Sequence, residues 1–172
     1  TQRRSSAASD VYKRQIYELC NAKTVLDTSM GWGDRLTAFY ASNATHYIGC
    51  DPNPNTFARY QDMIKFYDKL TGGKKTTQLY RCGAEDLPWN EIENVDCAFT
   101  SPPYFSTERY NEGGENEEDQ SWSKYDTYEK WRDNFYLPVS EKSFQSLNEN
   151  GVLMMNIFDP KVKNKRYYSS DE

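Results

Sequence analysis

Short apolar segments alternate along this chain with segments that repeat apolar residues at helical spacing. The apolar segments are residues 24–27, 46–50, 77–82, 95–100 and 151–158. Between the second and the third, one helix face is indicated by the recurrence of Phe57, Tyr60, Ile64, Tyr67 and Leu70. Strands that alternate with helices predict an α/β fold, in which a mostly parallel sheet carries helices on both faces.

Acidic residues stand where the first three predicted strands end, at Asp27, Asp51 and Asp86. A lone aspartate in such a place is most often a turn or helix-cap residue. In an open parallel sheet, however, ligands bind at the carboxyl ends of the strands, and an acid after the second strand commonly binds a ribose diol. As a set, the three carboxylates therefore indicate a ligand site.

Gly31 and Gly33 form a turn between the first strand and the helix-like segment 35–40. Glycine tolerates positive φ and has no Cβ, so such a turn lets the backbone approach a ligand closely. The third glycine of the dinucleotide fingerprint is missing, and NAD binding is not predicted.

The fourth predicted strand runs directly into Ser101, Pro102, Pro103 and Tyr104. Both prolines lack a backbone N–H and fix φ, and each forces the residue before it toward extended geometry. Backbone carbonyls are then left free beside an aromatic ring. This arrangement suits a site that accepts hydrogen bonds from a planar amino group and stacks the ring that carries it, although a simple loop capping a buried strand would have the same sequence.

These residues, in this order, resemble the motifs of the class I S-adenosylmethionine-dependent amino-methyltransferases, and most closely the DNA adenine-N6 and cytosine-N4 branch. The resemblance covers about residues 23–157. It implies a Rossmann-like sheet, S-adenosylmethionine as the cofactor, and a DNA base flipped out of the duplex as the substrate. In this family, serine before Pro-Pro-Tyr is more frequent in the cytosine-N4 branch.

The resemblance also implies roles for individual residues. The cofactor would be bound by Asp27, Gly31, Gly33, Asp51, Pro52, Asp86 and Leu87. The first three would hold the methionine moiety and Asp51 the ribose hydroxyls. Pro52 and Leu87 would flank the adenine ring, and Asp86 would meet its amino group. The catalytic turn, which would hold the target amine and its ring, is Ser101, Pro102, Pro103 and Tyr104.

Other functions remain open at this stage. The same turn would serve an RNA base or tRNA methyltransferase, and a protein glutamine methyltransferase acts on a chemically similar amide. The glutamine enzymes usually carry asparagine before Pro-Pro-Tyr, so Ser101 disfavours them. An inactive cofactor-binding fragment is a further alternative. Cytosine-C5 methylation needs a Pro-Cys nucleophile, which the chain lacks.

Three regions are expected along the chain. Residues 1–15 are rich in Ser, Ala and Arg and resemble translated adapter sequence, so we expect a disordered or artefactual leader. Residues 16–158 form the catalytic domain, with a loop insertion at 106–124 that is rich in acidic residues. Residues 159–172 are a polar, truncated tail, so the last strands of the family core are expected to be missing.

Composition limits the remaining possibilities. The net charge of −5 argues against broad non-specific binding to nucleic acid but does not exclude a DNA or RNA substrate. No apolar run approaches the ~20 residues of a membrane span. The four cysteines are far apart and only one histidine is present, so no metal site is predicted and a cytoplasmic location is expected.

Overall fold

Five parallel strands form the central sheet of the computed structural model. They are β1 (Thr24–Asp27), β2 (His46–Cys50), β3 (Thr76–Tyr80), β4 (Val95–Thr100) and β5 (Leu147–Met155). Their spatial order is β3-β2-β1-β4-β5, and all pairs are parallel. The structure describes residues 5–107, 109, 112–162 and 164–171. The predicted α/β fold with a parallel sheet is confirmed, and within these ranges the sheet has no sixth strand.

Helices connect the strands. They are α1 (Ser5–Leu19), α2 (Asp34–Tyr40), α3 (Pro54–Thr71), α4 (Ser121–Lys124), α5 (Tyr128–Trp131) and α6 (Leu137–Gln145). A π-helical turn, Arg132–Tyr136, joins α5 to α6. Short 3₁₀ turns lie at Ala84–Asp86, Trp89–Glu91, Glu117–Asp119 and Ser169–Asp171. A small antiparallel hairpin consists of β6 (Lys161–Val162) and β7 (Lys165–Arg166).

The sheet is covered on both faces, as predicted. Val25 of β1 packs in a cluster with residues of α1, α2 and α3, and the neighbouring Leu26 packs in a second cluster with residues of α5, the π-helical turn and α6. Successive strand residues point to opposite faces, so both must be apolar when both faces are covered. This explains why the central strands read as continuous apolar runs.

Helix α1 occupies most of the segment that was expected to be a disordered or artefactual leader. Tyr17 is fully buried, with its ring edge-on to Phe99 of β4 at a centroid distance of 6.2 Å. The Lys13 ammonium pairs with the Asp34 carboxylate at 3.0 Å, at the start of α2. The helical segment from residue 11 therefore packs against β4 and α2, and its assignment as a leader stays a prediction.

Strand β5 begins four residues earlier than the sequence predicted and ends three residues earlier. Its first half contains Asn148, Glu149 and Asn150, so a search for apolar runs does not detect this part of the strand. The register between β4 and β5 shifts between Val95 and Cys97. At this irregularity a Cβ on Gly151 would lie 2.7 Å from the Val95 carbonyl oxygen, so glycine is required by the close approach of the two backbones.

The helical region between residues 125 and 147 is divided near Pro138. Proline has no N–H to donate to the carbonyl four residues earlier, and its ring crowds that carbonyl. The wider π-helical turn lies immediately before it, at Arg132–Tyr136, and α6 carries Pro138 near its first position. This turn brings Phe135 toward the carboxyl edge of the sheet, where it lines the cavity described below.

Two segments are more ordered than the sequence suggested. The expected loop insertion at 106–124 ends in α4. Gln120, which lies within it, is buried, with 7% of its surface exposed. In the expected polar tail, Tyr167 stacks on Tyr128 at a centroid distance of 4.5 Å, and Ser169 is buried. The aromatic residues of α5 thus have partners from the tail, which sequence periodicity could not reveal.

Candidate active site

A cavity of about 460 Å³ opens at the carboxyl ends of β1 to β4. Loops from all four strand ends and the segment before α4 contribute to it. The lining residues are Thr28, Ser29, Met30, Gly31, Trp32, Asp34, Arg35, Asp51, Pro52, Asn53, Thr56, Gly83, Ala84, Glu85, Ser101, Pro103, Tyr104, Asp119, Gln120, Ser121 and Phe135. Of the residues proposed from the sequence, the cavity includes Gly31, Asp51, Pro52, Ser101, Pro103 and Tyr104. Strand topology thus brings both ends of the predicted site into one cavity.

The turn after β1 has the glycine geometry that the sequence indicated. Gly31 and Gly33 have φ of +55° and +82°. A Cβ on Gly31 would meet nothing closer than the Ser29 carbonyl oxygen at 3.9 Å, so the backbone there is open. A Cβ on Gly33 would instead lie 2.8 Å from Met63 Cε. Gly31 therefore faces the cavity, whereas a side chain at Gly33 would have to displace the end of the Met63 side chain on α3.

Asp27 lies behind the cavity and not in its lining. Its side chain is fully buried, and it accepts hydrogen bonds from Tyr47 Oη at 2.6 Å and Ser29 N at 3.1 Å. It also pairs with Arg35 Nε at 2.9 Å. Burial and then the nearby Asp27 carboxylate raise the pKa of Tyr47, which stays protonated as a donor. Asp27 anchors the loop after β1, and the structure gives it no direct path to a ligand.

Arg35 presents a cationic side chain to the cavity instead. It is nine-tenths buried, lines the cavity, and donates from Nη2 to the Ser29 carbonyl. Burial by itself lowers its pKa, but the charge of Asp27 and the hydrogen bond to it outweigh that effect and raise the pKa. The guanidinium is therefore always charged, and no sequence motif marks this residue, which lies at the start of α2.

Asp51 follows β2 and faces the cavity, as predicted. Its Oδ2 accepts from Gly31 N at 2.8 Å, while its Oδ1 accepts from Asn53 N at 2.9 Å and Thr56 Oγ1 at 3.2 Å. An ionised carboxylate has about four lone-pair sites, so about one remains for a ligand hydroxyl. To accept hydrogen bonds from both ribose hydroxyls, as expected, Asp51 would have to lose one of the three hydrogen bonds that it accepts here.

The loop after β3 turns differently from the prediction. Gly83, Ala84 and Glu85 line the cavity, whereas Asp86 does not. The Asp86 side chain is 64% exposed, and Leu87 is buried in the second core cluster. The 3₁₀ turn at Ala84–Asp86 points adjacent residues to different sides. The sequence alone therefore does not show which of the two neighbouring acids, Glu85 or Asp86, faces the cavity. Asp86 and Leu87 therefore lie outside the cavity lining, and their roles in cofactor binding stay predictions.

The turn after β4 is held by the strand beside it. Ser101 Oγ lies 2.9 Å from Tyr104 Oη, and both hydroxyls contact the Asn156 carbonyl oxygen, at 3.3 Å and 2.8 Å. Asn156 N in turn donates to the Thr100 carbonyl at 2.9 Å, immediately after β5. Pro102 is buried and lies outside the lining, while Pro103 faces the cavity. The hydroxyls of Ser101 and Tyr104 are thus fixed at one end of the cavity.

Tyr104 forms an aromatic pair with Phe158. Their ring centroids are 4.2 Å apart at an interplanar angle of 60°, and the Phe158 side chain is partly exposed. The sequence assigned Phe158 to the end of the fifth strand. In the structure it follows the strand and helps to orient Tyr104 instead.

Three polar side chains of the cavity lining have a buried atom without a hydrogen-bond partner, and one of these atoms, Arg35 Nε, is in an ion pair with Asp27. The other two atoms are Thr28 Oγ1 and Gln120 Nε2, and both residues are more than nine-tenths buried. Buried polar atoms are nearly always paired, so such atoms beside a cavity are places where a ligand can complete the hydrogen bonding. Sequence reasoning missed both residues, because neither lies in a recognisable motif.

Among residues 5–107, 109, 112–162 and 164–171, no group of three or more His, Cys, Asp or Glu side chains could hold a metal ion. In the same part of the chain, no helix is long and apolar enough to cross a membrane.

Three solved structures with the same architecture are remote from this chain in sequence. No protein-family model and no curated protein sequence matches the chain. The SAH-bound methyltransferase PaMTH1 of Podospora anserina is 14% identical with a TM-score of 0.53, and the match covers 86% of this chain and 51% of that one. A methyltransferase of Geobacter sulfurreducens is 10% identical with a TM-score of 0.55, and the match covers 86% and 59%.

An rRNA methylase of Streptococcus thermophilus is similar over more of its length. It is 15% identical with a TM-score of 0.52, and the match covers 90% of this chain and 72% of that one. The chain therefore spans between about half and three quarters of these three structures. At such identities the likeness concerns the fold alone. The chain has the Rossmann-like fold of the class I methyltransferases.

Proposed function

We propose that this protein is an S-adenosylmethionine-dependent methyltransferase that acts on the exocyclic amino group of a DNA base. One observation carries the proposal: a single cavity joins Gly31 and Asp51 to Ser101 and Tyr104. A methyl donor bound at the first pair would point its methyl group toward the second. The fold supports the proposal, because the SAH-bound structure PaMTH1 shares it.

The residues present fit this cofactor. Gly31 leaves its backbone open to the cavity, Thr28 Oγ1 lacks a partner, and Asp51 keeps about one acceptor site for a hydroxyl. Arg35 supplies a permanent positive charge that suits a carboxylate. S-adenosylmethionine, when bound, supplies an electrophilic methyl group on a sulfonium.

The turn after β4 supplies acceptors for a planar amine. The lone pair of such an amine is delocalised into its ring, so the amine is a poor nucleophile. Tyr104 Oη donates to the Asn156 carbonyl at 2.8 Å, and Ser101 Oγ accepts from Asn156 Nδ2 at 3.4 Å, which leaves one lone pair of Ser101 Oγ for a ligand. If Ser101 Oγ and the Pro102 carbonyl oxygen each accept one N–H, the nitrogen is drawn toward pyramidal geometry and its lone pair is released. This is catalysis by positioning and electrostatics, without a covalent intermediate.

The Tyr104 ring supplies the stacking face. A base inside a duplex cannot reach a cavity of this depth, so it must be flipped out. Stacking on an aromatic side chain is worth roughly 1–3 kcal/mol per base. Phe158, paired with Tyr104 at 4.2 Å, fixes the orientation of that face. Between the two DNA products we favour N4-methylcytosine, on the frequency of serine at the position of Ser101 in that branch.

The experiment is methyl transfer from tritiated S-adenosylmethionine to unmethylated DNA, RNA and protein in parallel, followed by mass spectrometry of the nucleosides. We expect label in DNA, as N4-methylcytosine. N6-methyladenine alone would retain the amino-methyltransferase and reject the preferred product. Label in RNA or in glutamine would establish the corresponding alternative, and 5-methylcytosine would refute the chemistry. The four cysteines are free thiols, which supports a cytoplasmic location for this activity.

Variants of the turn test the roles of its residues. Ser101→Ala removes one acceptor and is expected to slow the methyl-transfer step by about 5- to 100-fold, with SAH affinity unchanged. Tyr104→Ala is expected to weaken both target binding and turnover. Tyr168→Ala, at an exposed tyrosine outside the cavity, is the control and should change neither. Loss of SAH binding in folded Ser101→Ala, with target binding intact, would mean that the site is oriented the other way.

A further inference from the structure

The side chain of Gln120 is the least explained polar group of the cavity. It is 7% exposed, it belongs to the lining, and its Nε2 has no hydrogen-bond partner among the described residues. A buried amide that lacks a partner costs free energy. A glutamine in this place therefore needs a reason outside the contacts of the protein itself, and the cavity is the adjoining space in which a partner can be bound.

The position of Gln120 in the fold is fixed by the short helix that follows it. Its carbonyl oxygen accepts from Ser123 N and Lys124 N, both at 3.0 Å, at the start of α4. One helical turn on, Lys124 Nζ pairs with Glu85 Oε1 at 2.9 Å, and Tyr125 Oη donates to the same oxygen at 3.1 Å. Gln120 is thus held beside the loop that follows β3.

That side of the cavity lies far from the turn that follows β4. Strands β2 and β3 are neighbours, with Cys50 opposite Tyr80 at their carboxyl ends, so Pro52 and Ala84 lie on the same side of the opening. Strand β4 lies on the other side of β1. On the proposed function, the reacting methyl group lies toward Ser101, and the adenosine part of the cofactor lies toward β2 and β3.

A carboxamide is chemically matched to the edge of an adenine ring. Its oxygen accepts from the 6-amino group while its nitrogen donates to a ring nitrogen, a pairing that glutamine and asparagine use repeatedly with adenine. The resemblance assigned the adenine amino group to Asp86, but that side chain is 64% exposed and outside the cavity lining. Among the described residues of the lining, Gln120 has the buried amide nitrogen that lacks a hydrogen-bond partner.

We propose that Gln120 recognises the amino edge of the cofactor's adenine ring, and that this contact completes the hydrogen bonding of the buried amide. The proposal rests on the proposed function, since it assumes that the cavity binds an adenosine cofactor. It makes the segment before α4, and not the loop after β3 alone, responsible for selecting adenine.

The test uses Gln120→Met, which keeps the length of the side chain and removes the amide. Gln145→Met is the matched control, because Gln145 is exposed on α6 and pairs only with Glu141 at 3.1 Å. Calorimetry on the whole chain measures binding of SAH and of S-inosylhomocysteine, in which a carbonyl replaces the amino group. We expect wild type and control to prefer SAH by about tenfold or more, and Gln120→Met to bind SAH about tenfold more weakly with most of that preference lost.

Thermal unfolding without ligand gives the second measurement. Because the Nε2 atom has no partner among the described residues, Gln120→Met should unfold at the same temperature as wild type or higher. A lower unfolding temperature would show a structural role for the amide and overturn the proposal. Unchanged affinity and preference for SAH would also overturn it and leave the methyltransferase standing, even if target binding fell. Failure of wild type to bind SAH at all would instead refute the proposed function, and this inference with it.

Discussion

Substitution of Asp27 by asparagine should destabilise the fold and not merely weaken a ligand contact. The Asp27 carboxylate is fully buried and carries the negative charge that balances Arg35, whose side chain is 9% exposed. Breaking a buried pair by removing one partner leaves an uncompensated charge and costs about 3–5 kcal/mol. A domain of this kind is stable by only about 5–15 kcal/mol, so the loss is a large fraction of the total.

Equilibrium unfolding in urea measures this cost. With a denaturant slope of about 2 kcal/mol/M, the expected loss moves the urea midpoint down by roughly 1.5–2.5 M. Tryptophan fluorescence is a suitable signal, because Trp131 is fully buried in the second core cluster. Asp126→Asn is the control: it removes an exposed pair between Asp126 and Lys130, and no measurable shift is expected.

A double variant separates the ion pair from the loss of shape. Asp27→Asn combined with Arg35→Met removes both charges, so the second substitution should recover part of the loss from the first. A midpoint for Asp27→Asn within about 0.3 M of wild type, together with weaker SAH binding, would refute the reasoning. It would show that Asp27 contacts the cofactor directly, as the sequence resemblance implied.

The remaining predictions concern the loop after β1 and Asp51. Both glycines have positive φ, so alanine at Gly31 or at Gly33 should cost about 1–2 kcal/mol from backbone strain. At Gly33 the flexible end of Met63, whose Cε would lie 2.8 Å from the new Cβ, can move aside. A urea midpoint equal to that of wild type for either variant would contradict this. Burial raises the pKa of Asp51 although hydrogen bonds from Asn53 N and Gly31 N oppose the rise. The folded state therefore binds this proton more tightly than the unfolded chain, and the group's contribution to stability falls as the pH rises from the ordinary value of about 3.9 through the raised one. The stability of Asp51→Asn, measured relative to wild type, should accordingly improve between about pH 4 and about pH 7, and a constant difference would contradict the assignment.

The central strands could be predicted closely and the outer ones could not. The bounds of β1, β2 and β4 agree with the sequence prediction, because strands covered on both faces need apolar residues throughout and end where Asp51 or Ser101 begins a turn. Strand β3 lies at the edge of the sheet and is partly exposed, so its composition is mixed. Strand β5 begins with a polar half opposite an irregular stretch of β4, which no apolar pattern marks.

The candidate site could be predicted to the level of the loop but not always to the level of the residue. Asp51, Ser101 and Tyr104 lie where their strand ends indicated, because a proline or an acid at the end of a buried strand has little freedom of position. Glu85 and Asp86 are adjacent acids, and a single 3₁₀ turn decides which one faces the cavity. Gln120 lies in an acidic stretch whose composition predicts exposure to solvent, and it is buried by its tertiary contacts.

Strand order explains why the two halves of the site meet in one cavity. The chain proceeds from β1 outward to β2 and β3, and then returns across β1 to β4 and β5. The loops after β1 and β4 therefore leave adjacent strands in opposite directions, which opens a crevice between them. Gly31 and Asp51 lie on one side of this crevice and Ser101 on the other. A group bound on the first side faces a group bound on the second, so the topology itself supplies the geometry that a transfer reaction needs, and the loop residues decide what is transferred and to which acceptor.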